Sequence, residues 1–454
     1  MINTLFLPEL REMLESGNST ELRDFCEALH PAATAEFMEG LTVDEAWRVL
    51  QEATRETRSE IFSFFDEARQ IEILETQDRE QVAQLIEDLA PDDRVDVLNE
   101  IEPQLSEQLI KLLPSDDRRE TLRLQAYPEG TAGAVMTTEV IKLDESLTIR
   151  HALEQLQKQS NEVETIYYLY VVDELDHLRG VLSARDLISS LKSPEKTLRD
   201  LMETEPLTVD VHDDQEEVAR KVAHYDLLAV PVVDDQHRFQ GIITHDDIID
   251  VVREEATEDA HRIAGVEPLD AGYLQTRISQ LCWNRGVWLA PLFFAAMLTA
   301  KAMERFDERL SEPAWLWLFI PLVISAGGNS GNQSATLVIT ALTTGNVRIS
   351  DWLTVVRREL LMGLLLGTLL AVVFLPTGWL VAPELNATNP MNLAVIPVTL
   401  LFVVCSGTIV GSILPLLFQR LGQDPALMSN PFVAGIVDIL GILLYVMVAG
   451  WFLG

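Results

Sequence analysis

From about residue 283 the chain turns apolar. Five runs, near 284–302, 314–341, 360–381, 391–418 and 427–453, are each long enough to cross a bilayer as a helix, for which about 20 residues suffice. No other feature constrains the fold as much, because backbone in hydrocarbon must satisfy its own hydrogen bonds. The runs also divide the 454 residues by charge. Residues 271–454 hold nine acids and nine bases, whereas residues 1–270 hold 62 Asp and Glu against 25 Lys and Arg, so the whole formal charge of −37 lies in the first part. An acidic half joined to a neutral, lipid-facing half excludes nucleic acid as a partner, since that needs a basic footprint. It equally excludes polybasic attachment to a membrane surface. Cations are the natural partners.

With the N-terminus cytosolic, the inner flanks of the runs hold Arg277, Arg285, Arg348, Arg357, Arg358 and Arg420. The outer loops then hold only Lys301, Arg305 and Arg309, diluted by acids. Positive-inside bias therefore places the acidic half in the cytosol. The opening "MINTLFLPELREMLE" lacks a basic start and a long apolar run, so no signal peptide is expected. Cys26, Cys282 and Cys405 form no zinc or disulfide spacing.

Residues 1–130 read as short helices. Pro91, Pro103 and Pro114 open apolar-periodic stretches such as "PDDRVDVLNEI", and proline is tolerated in a first helical turn, where acids also suit the helix dipole. Stacked short helices of this kind build a superhelical array. Residues 136–252 contain a repeat, each copy holding two apolar strands and then a helix. The helix starts share a device, Ser183-x-x-Asp186 and Thr244-x-x-Asp247, a hydroxyl and an acid placed as in a capping box.

Two membrane runs carry chemistry. From Gly327 to Ser334, in "SAGGNSGNQSATL", all residues are Gly, Ser, Asn or Gln. Such a stretch faces protein or a water-filled path, not lipid. Close helix packing accounts for its glycines but not for Asn329, Asn332 and Gln333 together. In the last run Asn430, Ala434 and Asp438 fall at i, i+4 and i+8 on one face, with Gly441 close by. A carboxylate near a membrane midplane costs about 2.5–3.5 kcal/mol on insertion scales. One alternative makes Asp438 structural, hydrogen-bonded to Asn332 or Ser330. The other gives it an ion to bind. One carboxylate cannot neutralise a divalent cation, but two can across a two-fold dimer axis. Mg²⁺, which sheds water reluctantly and binds through one or two carboxylates, fits such a site. No nucleophile–base set, P-loop or zinc spacing points to an enzyme, so no catalytic residue is expected.

The strings "GVLSARD" and "GIITHDD" resemble cystathionine-β-synthase (CBS) modules in tandem. That resemblance implies a place for ATP or another adenine nucleotide at Ser183, Asp186 and Thr244, with Tyr170 and Arg185 as base and phosphate contacts; whether one binds is left open. The whole order of segments, with "GGNSGNQSATL" and "DPALMSNPFVAGIVDILG", resembles the MgtE family of magnesium channels. It implies a multidomain chain: an all-α superhelical N-domain (1–130), an α/β tandem CBS pair (131–253), a connecting helix (254–275) and a transmembrane domain of five α-helices (276–454). It also implies a homodimer with a Mg²⁺ pore lined by Gly328, Asn332, Thr336, Asn430 and Ala434, with Asp438 as the central acid.

Regulatory Mg²⁺ would close the pore from the cytosol. The matching positions are Glu60, Asp92 and Asp96, then Asp214, Glu216, the carbonyl of Ala223, Asp226, Asp247 and Asp250. Glu255, Glu258 and Asp259 follow in the connecting helix, and Asp424 before the last run. "PDDRVD" leaves Asp92 and Asp93 as alternatives. Two rival functions stand beside this one: a proton- or sodium-coupled secondary transporter of divalent cations, and a CBS-based membrane sensor.

Overall fold

The computed structural model describes residues 6–159, 163, 165–269, 272–305, 315–381, 394–428 and 430–453. Arg309 and the ends of the second and fourth apolar runs, at 314 and 391–393, lie outside the described residues. The chain forms two compact units, Met1–Glu255 and Ala256–Gly454.

The first unit begins with ten short helices among the described residues, α1 (Leu7–Ser16) to α10 (Ser115–Leu124). Local signals set their starts. Thr42 and Glu45 form a full capping box, with Thr42 N donating to Glu45 Oε2 at 2.8 Å and Glu45 N to Thr42 Oγ1 at 3.3 Å. Proline opens α8 (Pro91–Glu100) and α9 (Pro103–Leu112). A repeated arginine closes the helices. Arg58 donates to the carbonyls of Leu50, Gln51 and Ala53, and Arg94 to those of Ile86, Glu87 and Leu89. Both reach back eight, seven and five residues, so each satisfies the orphan carbonyls of the preceding helix end. One continuous core from Leu10 to Leu113 runs beneath the array.

The repeat folds into two sheets of the same topology, β1 (Lys142–Asp144), β2 (Tyr168–Val172), β3 (Leu178–Ser183) and β4 (Val209–Asp210), β5 (Ala229–Val233), β6 (Phe239–Thr244). In each, the first strand pairs parallel with the second and the second antiparallel with the third, with a bulge at Val171/Val172 and at Val232/Val233. The motif glycines have a steric reason. A Cβ on Gly180 would lie 2.5 Å from the carbonyl oxygen of Glu203, and one on Gly241 2.4 Å from that of Thr137. Tyr170, Val172, Leu178, Ala229, Val233, Phe239 and Ile242 form the core shared by the two copies. From the Thr244 cap, α14 (His245–Ile263) runs unbroken through the expected boundary at 253.

The second unit adds α15 (Ile278–Arg305), α16 (Trp315–Thr343), α17 (Trp352–Val381), α18 (Val395–Arg420) and α19 (Asn430–Leu453). By length and composition four stretches among the described residues are apolar enough to span a membrane: α15, Ile349–Pro376, α18 and α19. The expected fifth, α16, is 29 residues long, but its polar centre lowers its hydropathy and leaves it outside that set. It is instead well enclosed: Gly327, Gly331, Ser334, Ala335 and Val338 are all buried. Gly327 and Gly331 press on Gly407 and Gly411 of α18, where a Cβ on Gly407 would meet the Gly327 carbonyl at 2.5 Å and one on Gly411 the Gly331 carbonyl at 2.2 Å. Tyr445 is buried and donates its hydroxyl to the Leu316 carbonyl at 2.8 Å, tying α19 to the start of α16.

Candidate permeation site

The α16 stretch packs through glycines and also turns polar residues toward α19. Gly327 and Gly331 pack against α18 and against Val433 and Val437 of α19. Gly328, Asn332 and Thr336, four residues apart, share the face turned to the α19 stripe. A methyl group on Gly328 would sit 3.6 Å from Asp438 Oδ1 and 3.7 Å from Ala434 Cβ. Two turns away, Thr336 Oγ1 donates to Asn430 Oδ1 at 3.2 Å. Asn332 lies between, its side-chain oxygen buried without a hydrogen-bond partner. The other two amides do not join this seam: Asn329 bonds Ser325 at 3.3 Å, and both Asn329 and Gln333 are exposed.

Asp438 is half-buried. Its carboxylate has no hydrogen bond or ion pair among the described residues, and Ser330 Oγ and Asn332 Oδ1 are themselves unpartnered. The structural hydrogen bond to either residue is therefore not made. An acid, an orphan amide oxygen and a hydroxyl–amide pair along one seam suit a cation that keeps part of its water, since hard cations take oxygen ligands.

A second acid of this region escaped the hydropathy reading. Glu359 of α17 accepts from Ser334 Oγ at 2.5 Å, and its carbonyl accepts from Thr408 Oγ1 at 3.0 Å. It joins α16, α17 and α18. The apolar run near 360–381 starts just past it, because Arg357, Arg358 and Glu359 itself mask the first turns of a helix that begins at Trp352.

The acids of the expected regulatory sites are distributed unevenly. Asp93 and Asp96 of α8 stand among Asp246, Asp247 and Asp250 of α14. Burial pushes the Asp93 carboxyl up, a 2.7 Å hydrogen bond from Ser63 pulls it down, and Asp246 and Asp250 push it up again. Solvent still reaches Asp96, yet desolvation of its carboxyl, then Asp93, Asp247, Glu254 and Glu100, push it up to about 7. Asp247 is pushed up to about 6 by burial and by Asp246 and Asp93, against hydrogen bonds from Thr244. Of the alternatives in "PDDRVD", Asp93 stands in this group, and Asp92 is buried. Exposed Glu60 is raised by desolvation and by Glu56.

Asp214 caps α13 (Gln215–Tyr225) at its start, and Asp226 ends it in the left-handed conformation with φ 51°. An 11-residue helix is about 16 Å long, so Asp214 and Glu216 cannot share one ion with Asp226 and the Ala223 carbonyl. Glu255 accepts from Gln215 Nε2 at 2.8 Å, and Arg262 bonds both Glu258 and Asp424. Asp259 is half-buried on the same helix. Among the described residues no three His, Cys, Asp or Glu side chains converge as a ready metal-holding group.

The hydroxyl–acid pairs of the repeat bond to themselves. Ser183 Oγ donates to Asp186 Oδ2 and Thr244 Oγ1 to Asp247 Oδ2, both at 2.5 Å. Arg185 and Asp186 are exposed. Tyr170 is 1% exposed and stacks on Phe239, ring centroids 4.9 Å apart, so its ring faces are not presented to solvent.

Residues 320–448 match the family described as divalent cation transporter, residues 29–130 the MgtE intracellular N domain, and residues 132–193 and 198–254 the CBS domain. The magnesium transporter MgtE of Thermus thermophilus is 36% identical over 443 residues, 97% of either chain. The chain belongs to the MgtE family. The magnesium transporter MgtE of Enterococcus faecalis is 33% identical over 75% of this chain and 73% of its own. Among solved structures, the soluble part of a magnesium transporter matches 55% of this chain and 97% of its own, at 33% identity and TM-score 0.52. The cytosolic domain of the Mg²⁺ channel MgtE in complex with ATP matches 53% and 98%, at 35% identity and TM-score 0.50. The MgtE architecture read from the sequence, a helical N-domain, a CBS pair and a helical membrane region, holds. With its apolar helices, this family member is a multi-pass membrane protein.

Proposed function

We propose that the chain forms a homodimeric, Mg²⁺-selective channel of the bacterial cytoplasmic membrane, with its acidic half in the cytosol. The observation that carries this reading is the unpaired Asp438 carboxylate beside Gly328, on a seam with the Asn332 oxygen and the Thr336–Asn430 pair. Two copies of the seam facing each other supply two carboxylates for one divalent ion. Gly328 and Ala434 leave room for the water that Mg²⁺ retains. Membrane lipid surrounds the outer helices; none of the apolar window of α15 is buried within the chain, which leaves it for lipid or the second copy.

Cytosolic Mg²⁺ closes this channel. Asp93, Asp96 and Asp247 are desolvated and stand among like charges, Asp246 and Asp250 included, which makes their carboxylates costly while unneutralised. A bridging cation removes that cost and so favours the packed state, a two-state element biased by a ligand that prefers one state. The connecting helix α14 carries the change to the pore. ATP or another adenine nucleotide binds the CBS pair at Ser183, Arg185 and Asp186, supported by the ATP complex of the related cytosolic domain.

Flux from purified protein in liposomes tests the reading, with internal and external Mg²⁺ varied separately. Influx should rise with external Mg²⁺, fall as internal Mg²⁺ reaches millimolar levels, and ignore an imposed pH or sodium gradient. Flux that follows either gradient would instead establish coupled transport.

A further inference from the structure

The end of α14 carries an ionic tether. Arg262 Nη1 lies 2.5 Å from Asp424 Oδ2, and Nη2 bonds Glu258 Oε1, one turn back on the same helix. All three side chains are about 70% shielded from solvent. The other oxygen of Asp424 accepts from Ala426 N at 2.8 Å, capping the short turn Pro425–Leu427 that leads into α19. Ile263, the next residue, packs against Ala335, Ile339, Ala426, Val433 and Val437. Val433 and Val437 flank Ala434 and Asp438 on α19. A single guanidinium thus joins the last turn of the connecting helix to the turn that sets the acid-bearing helix.

Glu258 and Asp424 are two of the positions that the family resemblance gives to a regulatory ion. Here one oxygen of each is already taken by a planar cation whose two terminal nitrogens bridge the two carboxylates. A divalent ion on the same oxygens would sit against the positive guanidinium, so the two occupants exclude each other. We infer that Arg262 is a tethered cation which replaces regulatory Mg²⁺ at Glu258 and Asp424 and holds the connecting helix on the entrance of α19 with no metal bound. This rests on the reading of that helix as the closing element. Closure then has a metal-free part, set by Arg262, and a metal-dependent part, set by the acids of α8 and α14.

Removing the guanidinium has two effects of opposite sign. Without internal Mg²⁺ the two carboxylates repel and the helix end is released, so the channel opens. With internal Mg²⁺ the vacated oxygens accept the ion, so closure returns and depends more on Mg²⁺ than before. A residue that merely supported the fold would produce neither the gain of flux nor the stronger inhibition.

The test uses the full chain in liposomes with Mg²⁺ as the only divalent ion. Arg262→Gln should raise flux at zero internal Mg²⁺ by on the order of fivefold or more, the low end of ordinary coupling between sites, and should widen the ratio of uninhibited to inhibited flux by a similar factor. The exchange of Arg262→Asp with Asp424→Arg should restore the low basal flux. Amide exchange at 256–263 and 424–428 in chelator should be slow in the wild type, faster in Arg262→Gln and slow again in the exchange. A wild type insensitive to internal Mg²⁺ would overturn the gating reading. A wild type that is inhibited, with Arg262→Gln identical to it in flux and exchange, would overturn the clamp alone. Should Arg262→Gln fail to insert, the exchange variant decides: raised basal flux or fast exchange in it overturns the clamp.

Discussion

Two glycines on neighbouring faces of the membrane unit should separate packing from conduction. Gly411 of α18 faces backbone: a Cβ there would lie 2.2 Å from the Gly331 carbonyl oxygen and 3.2 Å from Ala335 N. Carbon contacts relax only near 3.5 Å, so Gly411→Ala must push α18 from α16 by about 1 Å. Neither side of that contact is a flexible side chain. Overpacking of this kind costs about 1–3 kcal/mol, which in a unit of this size lowers the melting temperature by roughly 3–10 °C. Gly328 differs. Its added methyl would meet Asp438 Oδ1 at 3.6 Å and Ala434 Cβ at 3.7 Å, which is ordinary contact. Gly328→Ala should therefore keep the wild-type melting temperature, or gain slightly from the roughly 0.5–1 kcal/mol that alanine offers over glycine in a helix. It should nevertheless lose most Mg²⁺ flux, because the methyl occupies space beside the acid. Melting in detergent and flux in liposomes are measured on the same preparations. An unchanged melting temperature in Gly411→Ala, or a destabilised Gly328→Ala, would refute the division of faces.

Three further outcomes follow from the contacts. Asp96 and Asp247, raised to about 7 and about 6 from an ordinary 3.8, bind protons more readily in the folded state. The stability linked to them is complete below about pH 4 and is lost as pH rises through 6 and 7, so in chelator the soluble half should resist protease better at pH 5.5 than at pH 8, and millimolar Mg²⁺ should erase the difference. Glu359→Ala leaves Ser334 without its acceptor between α16 and α17 and should lower thermal stability by about 1–3 kcal/mol, whereas Glu359→Gln, which can still accept, should cost less than half as much by the same melting assay. Asp186→Ala should abolish the calorimetric heat of ATP binding to the full chain while leaving Mg²⁺ protection of the soluble half intact; retained ATP heat would place the nucleotide elsewhere.

What could be read in the sequence was whatever has a local cause. Proline starts and the two hydroxyl–acid caps lie within four residues of their partners, and the four-residue spacing of Asn430, Ala434 and Asp438 names a helix face directly. Spacing names a face but not its partner. It grouped Asn329, Asn332 and Gln333, yet only Asn332 turns to the seam, because consecutive residues lie about 100° apart around a helix. Arg262 and Asp424 are 162 residues apart, and Ser334 and Glu359 lie on different helices. No periodicity encodes such pairs. Tyr170 misleads for a related reason: an aromatic in a nucleotide-type motif suggests stacking on a base, but Phe239 of the second copy already occupies its face.

The central claim is that Asp438 binds the ion in transit. Its most direct measurement is Mg²⁺ flux into liposomes with Asp438→Ala and Asp438→Asn, at zero internal Mg²⁺, after confirming that each variant inserts and melts as the wild type does. Since nothing among the described residues bonds to the carboxylate, neither substitution should disturb the fold. The account predicts that Asp438→Ala abolishes flux and that Asp438→Asn, which keeps shape but not charge, loses nearly all of it. Wild-type flux from a properly inserted Asp438→Ala protein would contradict it.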